Sequence, residues 1–241
     1  MISRVMSSSK PKLPKLLIAT RNPGKIREYG ELLRGAGFQL VSLDDLGVKG
    51  EVEETGATFR ENAVLKAMSY AAMGGMLALA DDSGLAVDAL GGEPGVLSAR
   101  YGEEFPTAPL TQSGVGGVSP HVLPNVLPLK MSDQDRVRLL LRNLEGLPWE
   151  LRTARFRCVI CIAEPGIARP PDTVCSEGAV AGMIQYQPQG GQGFGYDPVF
   201  FLPSYDLTMA QLSMEEKNNI SHRADAARKA VEILKGLRPG R

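Results

Sequence analysis

Apolar residues recur along the chain with two different spacings, and the switches between them predict the order of elements. Leu16–Ala19 is a short apolar run closed by a turn, which reads as a strand. Over Pro23–Arg34 the pattern becomes helical: Asn22 can cap it, Pro23 suits the first helical position, and Gly35 can end it. Phe38–Leu43 reads as a second strand. Thr58-Phe-Arg-Glu61 has capping-box spacing and opens a helix to about Met73. Met76–Ala80 is an apolar run suited to a buried strand, and Leu85–Leu90 predicts a hairpin-like return beside it.

From about Glu103 to Met131 the texture changes. Pro, Gly, Ser and Val dominate, charge almost vanishes, and neither the strand nor the helix period is present. Long structureless loops are uncommon in compact domains, so 103–131 is expected to be a mobile insertion. A helix follows over Asp133–Asn143, then strands near Phe156–Ala163, Thr173–Ile184 and Val199–Leu202, and a last helix from His222, capped by Ser221. Strict strand–helix alternation fails in the second half. That indicates an α/β fold with a mixed sheet and argues against a doubly wound nucleotide fold.

Composition narrows the class. The chain has 241 residues and a hydrophobic fraction of 43%, enough to bury a sizeable core. Lys plus Arg equals Asp plus Glu at 27 each, which disfavours a nucleic-acid partner while leaving room for one small basic pocket. No apolar run approaches a membrane span, and residues 1–14 lack an apolar core of signal-peptide length. They are expected to form a disordered tail on a cytoplasmic protein, with the folded domain over 15–241. The three cysteines, Cys158, Cys161 and Cys175, are too few for a disulfide framework and read as small apolar core residues.

Charged residues in unusual places suggest chemistry. Thr20-Arg21-Asn22-Pro23-Gly24-Lys25 is a strand–turn–helix junction, and a helix N-terminus favours anions. Lys25 in that first turn opposes the helix dipole unless an anion joins it; the alternative is a solvated surface lysine. Ser221-His222-Arg223 repeats the oddity at the last helix, and two such violations suggest a shared anionic ligand. Asp81-Asp82-Ser83-Gly84 places two carboxylates at the expected end of a strand, where they repel unless a cation or proton neutralises one. Such hard oxygen donors suit Mg²⁺. Glu53-Glu54 offers a second pair, and Lys66 shares a helix face with Asn62 and Ser69. Gly190–Pro198 is a glycine-dense loop with Phe194, Gly195, Tyr196 and Asp197, in which an aromatic ring can stack on a base. It lacks the spacing of a dinucleotide-binding loop.

Taken in order, these segments resemble the inosine triphosphatase family of purine NTP pyrophosphatases. The matching stretches are Ala19–Lys25, Glu53–Ala63 with Lys66, Ala80–Leu85, Leu90–Gly95 with Ser98–Tyr101, Gly193–Pro198, and Glu216-Lys217 with Ser221–Arg223. They cover most of Leu16–Leu237.

The resemblance implies an elongated mixed β-sheet flanked by helices, forming two lobes with a central nucleotide cleft, usually in a homodimer. It implies hydrolysis of non-standard purine nucleoside triphosphates (ITP, dITP, XTP) to monophosphate and pyrophosphate, with Mg²⁺ as cofactor. Thr20, Arg21, Asn22, Pro23, Gly24 and Lys25 would contact the triphosphate, as Lys66 could. Asp82, with Glu53 or Glu54, would hold the metal, and Asp82 would also act as general base. Ser83 would touch substrate. Phe194, Gly195, Tyr196, Asp197, Lys217, His222 and Arg223 would bind base and sugar. The chain departs from the family in the 103–131 insertion and in Arg21, which stands where the family often has a small residue.

Overall fold

Leu16, Leu17 and Ile18 are consecutive and all buried, so the strand they form is covered on both faces. This is β1 (Lys15–Ile18), in a computed structural model that describes residues 13–103, 131–166 and 173–237. Most of the expected tail and of the expected insertion lies outside the described residues. Pro14 does not belong to a tail: its carbonyl accepts the Gln39 N–H at 2.8 Å.

β1 pairs in parallel with β2 (Gln39–Ser42) and with β3 (Ala78–Val87), with Leu17 opposite Val41 and Ala78. The remaining strands are β4 (Thr153–Ala163), β5 (Val174–Ile184), β6 (Phe200–Leu202) and β7 (Leu207–Thr208). The sheet order is β2-β1-β3-β4-β5-β6-β7, with β5, β6 and β7 joined antiparallel. A mixed sheet flanked by helices is therefore the fold, as the element pattern predicts.

The chain divides into two compact units: 1–83 with 155–181 and 212–241, and 84–154 with 182–211. The first carries α1 (Pro23–Leu32), α2 (Phe59–Gly74), α4 (Met214–Ile220) and α5 (His222–Gly236); the second carries α3 (Asp133–Asn143). In the first unit Leu16, Ile18 and Leu79 join Tyr29 and Leu33 beside α1, and Ala226, Ala230 and Leu234 of α5, in one apolar cluster. Leu17, one residue out of phase, touches Gly74 of α2. Alternation along the strand thus assigns α1 and α5 to one face and α2 to the other.

The capping signal of α2 acts as read. Thr58 and Glu61 form a complete capping box for α2, and Gly75 ends the helix in the left-handed conformation at φ 63°. Two expectations need correction. Ala78–Val87 is one continuous strand of ten residues, without a return at Leu85. Its polar residues Asp81, Asp82 and Ser83 each find a partner, so the ladder is not interrupted there. Second, Cys161 and Cys175 form a disulfide joining β4 to β5, which makes them more than apolar fillers; Cys158 alone remains a buried thiol.

Gly178 of β5 sets how closely α5 approaches the sheet. A Cβ at this position would lie 2.2 Å from the His222 carbonyl oxygen and 2.5 Å from the Ala226 nitrogen. Among the described residues no helix is long and apolar enough to cross a membrane.

Candidate active site

α1 begins where β1 ends because Asn22 caps it. The Asn22 side chain accepts from the Gly24 and Lys25 N–H groups at 2.8 and 3.1 Å, with Pro23 in the first turn. Two amide donors expected to face an anion are therefore already partnered. Thr20 Oγ1 accepts from the Asn22 N–H at 3.2 Å, which tightens the turn. Arg21 points elsewhere. Its guanidinium donates to Asp44 Oδ1 at 2.8 Å and to the Val48 carbonyl, so it fastens the 44–50 loop. The structure does not bring it to the other candidate residues.

Lys25 leaves that turn towards β3, and its Nζ lies 2.9 Å from Asp81 Oδ2. Arg223, second in α5, reaches the same oxygen with Nε at 3.6 Å and donates to Ser83 Oγ at 2.8 Å. Behind them stands Glu28 of α1, a residue the sequence reading missed. One of its oxygens pairs with Arg223 and the other with Lys217 Nζ at 2.8 Å. All these side chains except Lys25 and Ser83 are essentially inaccessible. Burial alone would raise the Glu28 carboxyl, but Arg223 and Lys217 hold it below the usual value. Burial would likewise raise Asp81, and Lys25, Arg223 and Lys66 bring it well below the carboxylate range. Arg223 is pushed up by Glu28 and Asp81 against its own desolvation.

His222 behaves differently from its cationic neighbours. It is buried and stacked on Phe156, ring centroids 4.8 Å apart and planes 17° from parallel. Desolvation, helped by the charges of Arg223 and Lys217, drives its pKa well below the ordinary histidine value, so the ring is neutral at pH 7. It therefore does not oppose the dipole of α5, which its place in the sequence suggested. His222 Nδ1 and Asp81 Oδ1 are buried without a hydrogen-bond partner, each an unmet polar atom costing about 1–3 kcal/mol.

Asp82 serves the opposite face. Lys66 of α2 donates to Asp82 Oδ1 at 3.0 Å and to Glu54 Oε1 at 2.6 Å. Asn62, one helical turn back, donates to Asp82 Oδ2 at 3.4 Å while its own oxygen accepts from the Gly56 N–H at 2.7 Å. Burial lifts the Asp82 carboxyl above its ordinary value, with Lys66 opposing and Glu54 adding to the rise. Asp82, Glu54 and, secondarily, Asp81 raise Lys66 against its desolvation. Glu53 points into solvent, so of the two glutamates only Glu54 joins this cluster.

Glu54 and Asp82 are the carboxylates closest to forming a divalent-ion site. Among the described residues no three His, Cys, Asp or Glu side chains converge to enclose an ion. Mg²⁺ nevertheless takes only one or two carboxylates from a protein and completes its shell with water and phosphate oxygens, and Glu54 and Asp82, which meet at the same Lys66 ammonium, supply two. The donor set fits.

In the second unit, Tyr196 and Asp197 are buried and Phe194 is half-buried. Tyr196 donates its hydroxyl to the Ser98 carbonyl at 3.0 Å, and Asp197 Oδ2 accepts from the Phe194 N–H at 2.9 Å. Desolvation raises the Tyr196 phenol, which keeps it a donor. Both side chains brace the loop from inside it; Phe194 is its more accessible side chain.

Glu28 carries little signal in the sequence. Three residues after Lys25 on a helix, it reads as half of a surface ion pair, and only packing against α4 and α5 reveals its burial. Asn62 was visible on the Lys66 face, but its bridge to Gly56 was not.

A model described as the Ham1 family matches residues 16–115 and 116–233, the break falling within the expected insertion. The chain is 41% identical over 222 residues to the dITP/XTP pyrophosphatase of Bacillus subtilis (strain 168), covering 92% of this chain and 98% of that protein. It is 45% identical over 223 residues to the dITP/XTP pyrophosphatase of Desulforamulus reducens, covering 92% and 96%. Among solved structures, a HAM1 protein from Coxiella burnetii matches with TM-score 0.75 at 34% identity, over 93% of this chain and 100% of that one. Motif order, mixed sheet and near-complete matches along the sequence agree: the chain belongs to the Ham1 family.

Proposed function

We propose that this chain hydrolyses non-standard purine nucleoside triphosphates, ITP, dITP and XTP, to the monophosphate and pyrophosphate, in a Mg²⁺-dependent reaction. The observation that carries this reading is the pairing of Asp82 and Glu54 with Lys66 at one step of β3, and of Asp81 with Lys25 and Arg223 at the preceding step. The names of the relatives support the substrate class.

Asp82 is assigned as proton acceptor for the attacking water. A buried carboxyl whose proton affinity is raised suits that task better than an ordinary one. Asp82 and Glu54 would hold Mg²⁺; when bound, the ion supplies charge neutralisation to phosphate oxygens. Lys66 would exchange its carboxylate partners for a phosphate oxygen, and Lys25, at the mouth of α1, would do the same. Thr20, Asn22, Pro23 and Gly24 shape that turn, with the Asn22 cap holding Lys25 in place.

Lys217, His222 and Arg223 are assigned to base and sugar, Ser83 to the substrate beside Arg223, and Phe194–Asp197 to the base. A neutral His222 and a fixed Arg223 donate hydrogen bonds suited to a 6-keto oxygen. An adenine amino group there would leave donors unmet, at about 1–3 kcal/mol each. Arg21 has no place among the triphosphate contacts, since it fastens the 44–50 loop. The enzyme is read as a cytoplasmic homodimer without a nucleic-acid partner, in keeping with its balanced charge.

Incubating the protein with ITP, dITP, XTP, ATP and dTTP in the presence and absence of Mg²⁺ tests the reading. Pyrophosphate release from the first three, dependent on the ion, is expected. Orthophosphate release, or equal rates on dTTP, would overturn it.

A further inference from the structure

The loop over Gly193–Asp197 presents two consecutive backbone donors, the N–H groups of Phe194 and Gly195, after a left-handed Gly193 at φ 78°. Successive amides of this kind make an anion-binding concavity. Here the chain fills both with its own carboxylates. Asp197 Oδ2 accepts from Phe194 N at 2.9 Å, and Asp133 Oδ2 accepts from Gly195 N at 2.8 Å. The first bond is internal to the loop, whereas the second comes from 62 residues away, at the start of α3.

α3 has no need of Asp133 for its own cap. Ser132 and Asp135 form a complete capping box, with each side chain meeting the other's backbone N–H. The second Asp133 oxygen lies 3.5 Å from Arg136, and Arg136, itself buried, donates to the carbonyls of Met131 and Ala99. Asp133, an exposed side chain, thus has one oxygen beside Arg136 and the other on the loop. Tyr196 ties the same loop to Ser98.

We infer that Asp133 is a positioning residue for nucleobase binding. By fixing the Gly195 amide it sets the direction in which Phe194 leaves the loop. By filling the second donor it turns a potential phosphate cradle into a support for an aromatic face. The inference rests on the assignment of Phe194–Asp197 to the base made above.

The test uses full-length Asp133→Ala, Asp133→Asn and Phe194→Ala, with dITP and Mg²⁺ as substrate and pyrophosphate as a base-free inhibitor. Asp133→Ala is expected to raise KM about tenfold, the effect of losing one charge-assisted hydrogen bond, with kcat changed less than about twofold. Its inhibition by pyrophosphate stays unchanged, and Gly195 amide exchange accelerates while that of Phe194 does not. Asp133→Asn retains an acceptor oxygen and recovers most of the KM. A lower melting temperature and kcat with unchanged KM would mean a merely structural role and overturn the inference. So would unaltered exchange at Gly195. If Phe194→Ala raises KM and Asp133→Ala does not, the inference fails alone. If Phe194→Ala leaves KM unchanged, the assignment of the loop to the base fails with it.

Discussion

Asp81 and Asp82 are consecutive residues of β3 whose carboxylates meet different lysines, Asp81 Oδ2 lying 2.9 Å from Lys25 Nζ and Asp82 Oδ1 3.0 Å from Lys66 Nζ. Strand alternation sends one towards α1 and α5 and the other towards α2. The mutual repulsion expected of neighbouring carboxylates is thereby relieved, because each has its own counter-charge.

The two should fail differently when neutralised. Asp82→Asn is expected to lower kcat by about 10²–10⁴-fold, the range for losing a general base, with little change in unfolding by urea. Asp81→Asn removes the buried carboxylate that Lys25 and Arg223 share and is expected to cost about 3–5 kcal/mol of stability. Matching losses of turnover and stability in both variants would contradict the division of roles.

Glu28 holds two cations at once, so Glu28→Gln should destabilise by about 3–5 kcal/mol. Adding Lys217→Met to that variant removes one of the two cations that Glu28 holds and should recover part of the loss. Additive losses in a double-mutant cycle would show that the pair is not coupled.

His222 sets a pH dependence of stability. Its folded pKa is depressed by burial, so below about 6.5 the unfolded chain binds a proton that the folded chain refuses. Stability therefore rises with pH through the interval below that value and levels off above it. Glu28 and Asp81, also depressed, act lower: their contribution is full above the unfolded carboxylate pKa of about 4 and is lost as pH falls through their folded values. Melting temperature against pH should show the upper limb in the native protein and lose it in His222→Asn.

The Cys161–Cys175 bond closes a loop with a sequence separation of 14, for which chain entropy gives about 3 kcal/mol. Cys175→Ser should lose up to that amount in non-reducing buffer and nothing in the presence of a strong reductant. An equal loss in both buffers would place the effect in packing instead.

Much of this arrangement is legible before any coordinates. The capping box at Thr58 and the Asn22 cap depend on neighbours within four residues, so the sequence displays them directly. The acidic and basic candidates are legible too, since carboxylates after an apolar run and cations in first turns break local rules. Their grouping is not. Glu28 sits 195 residues from Arg223 and shows nothing unusual until the two are packed together. The continuity of β3 was hidden because Asp81–Gly84 interrupts the apolar pattern, and pairing to distant side chains removes the cost of that interruption. Arg21 misled for the same reason: its partner Asp44 lies in a loop 23 residues on.

Gly178 extends the reach of this dependence to a position that carries no reactive group. A single added methyl there must push the opening turn of α5 off the sheet, and Arg223 would lose Glu28, Asp81 and Ser83 in one displacement. Tolerance to mutation in this enzyme therefore follows backbone clearance as well as distance from the reacting groups. A library scored for turnover should show a sharp intolerance in the middle of β5, where no amount of substrate could compensate.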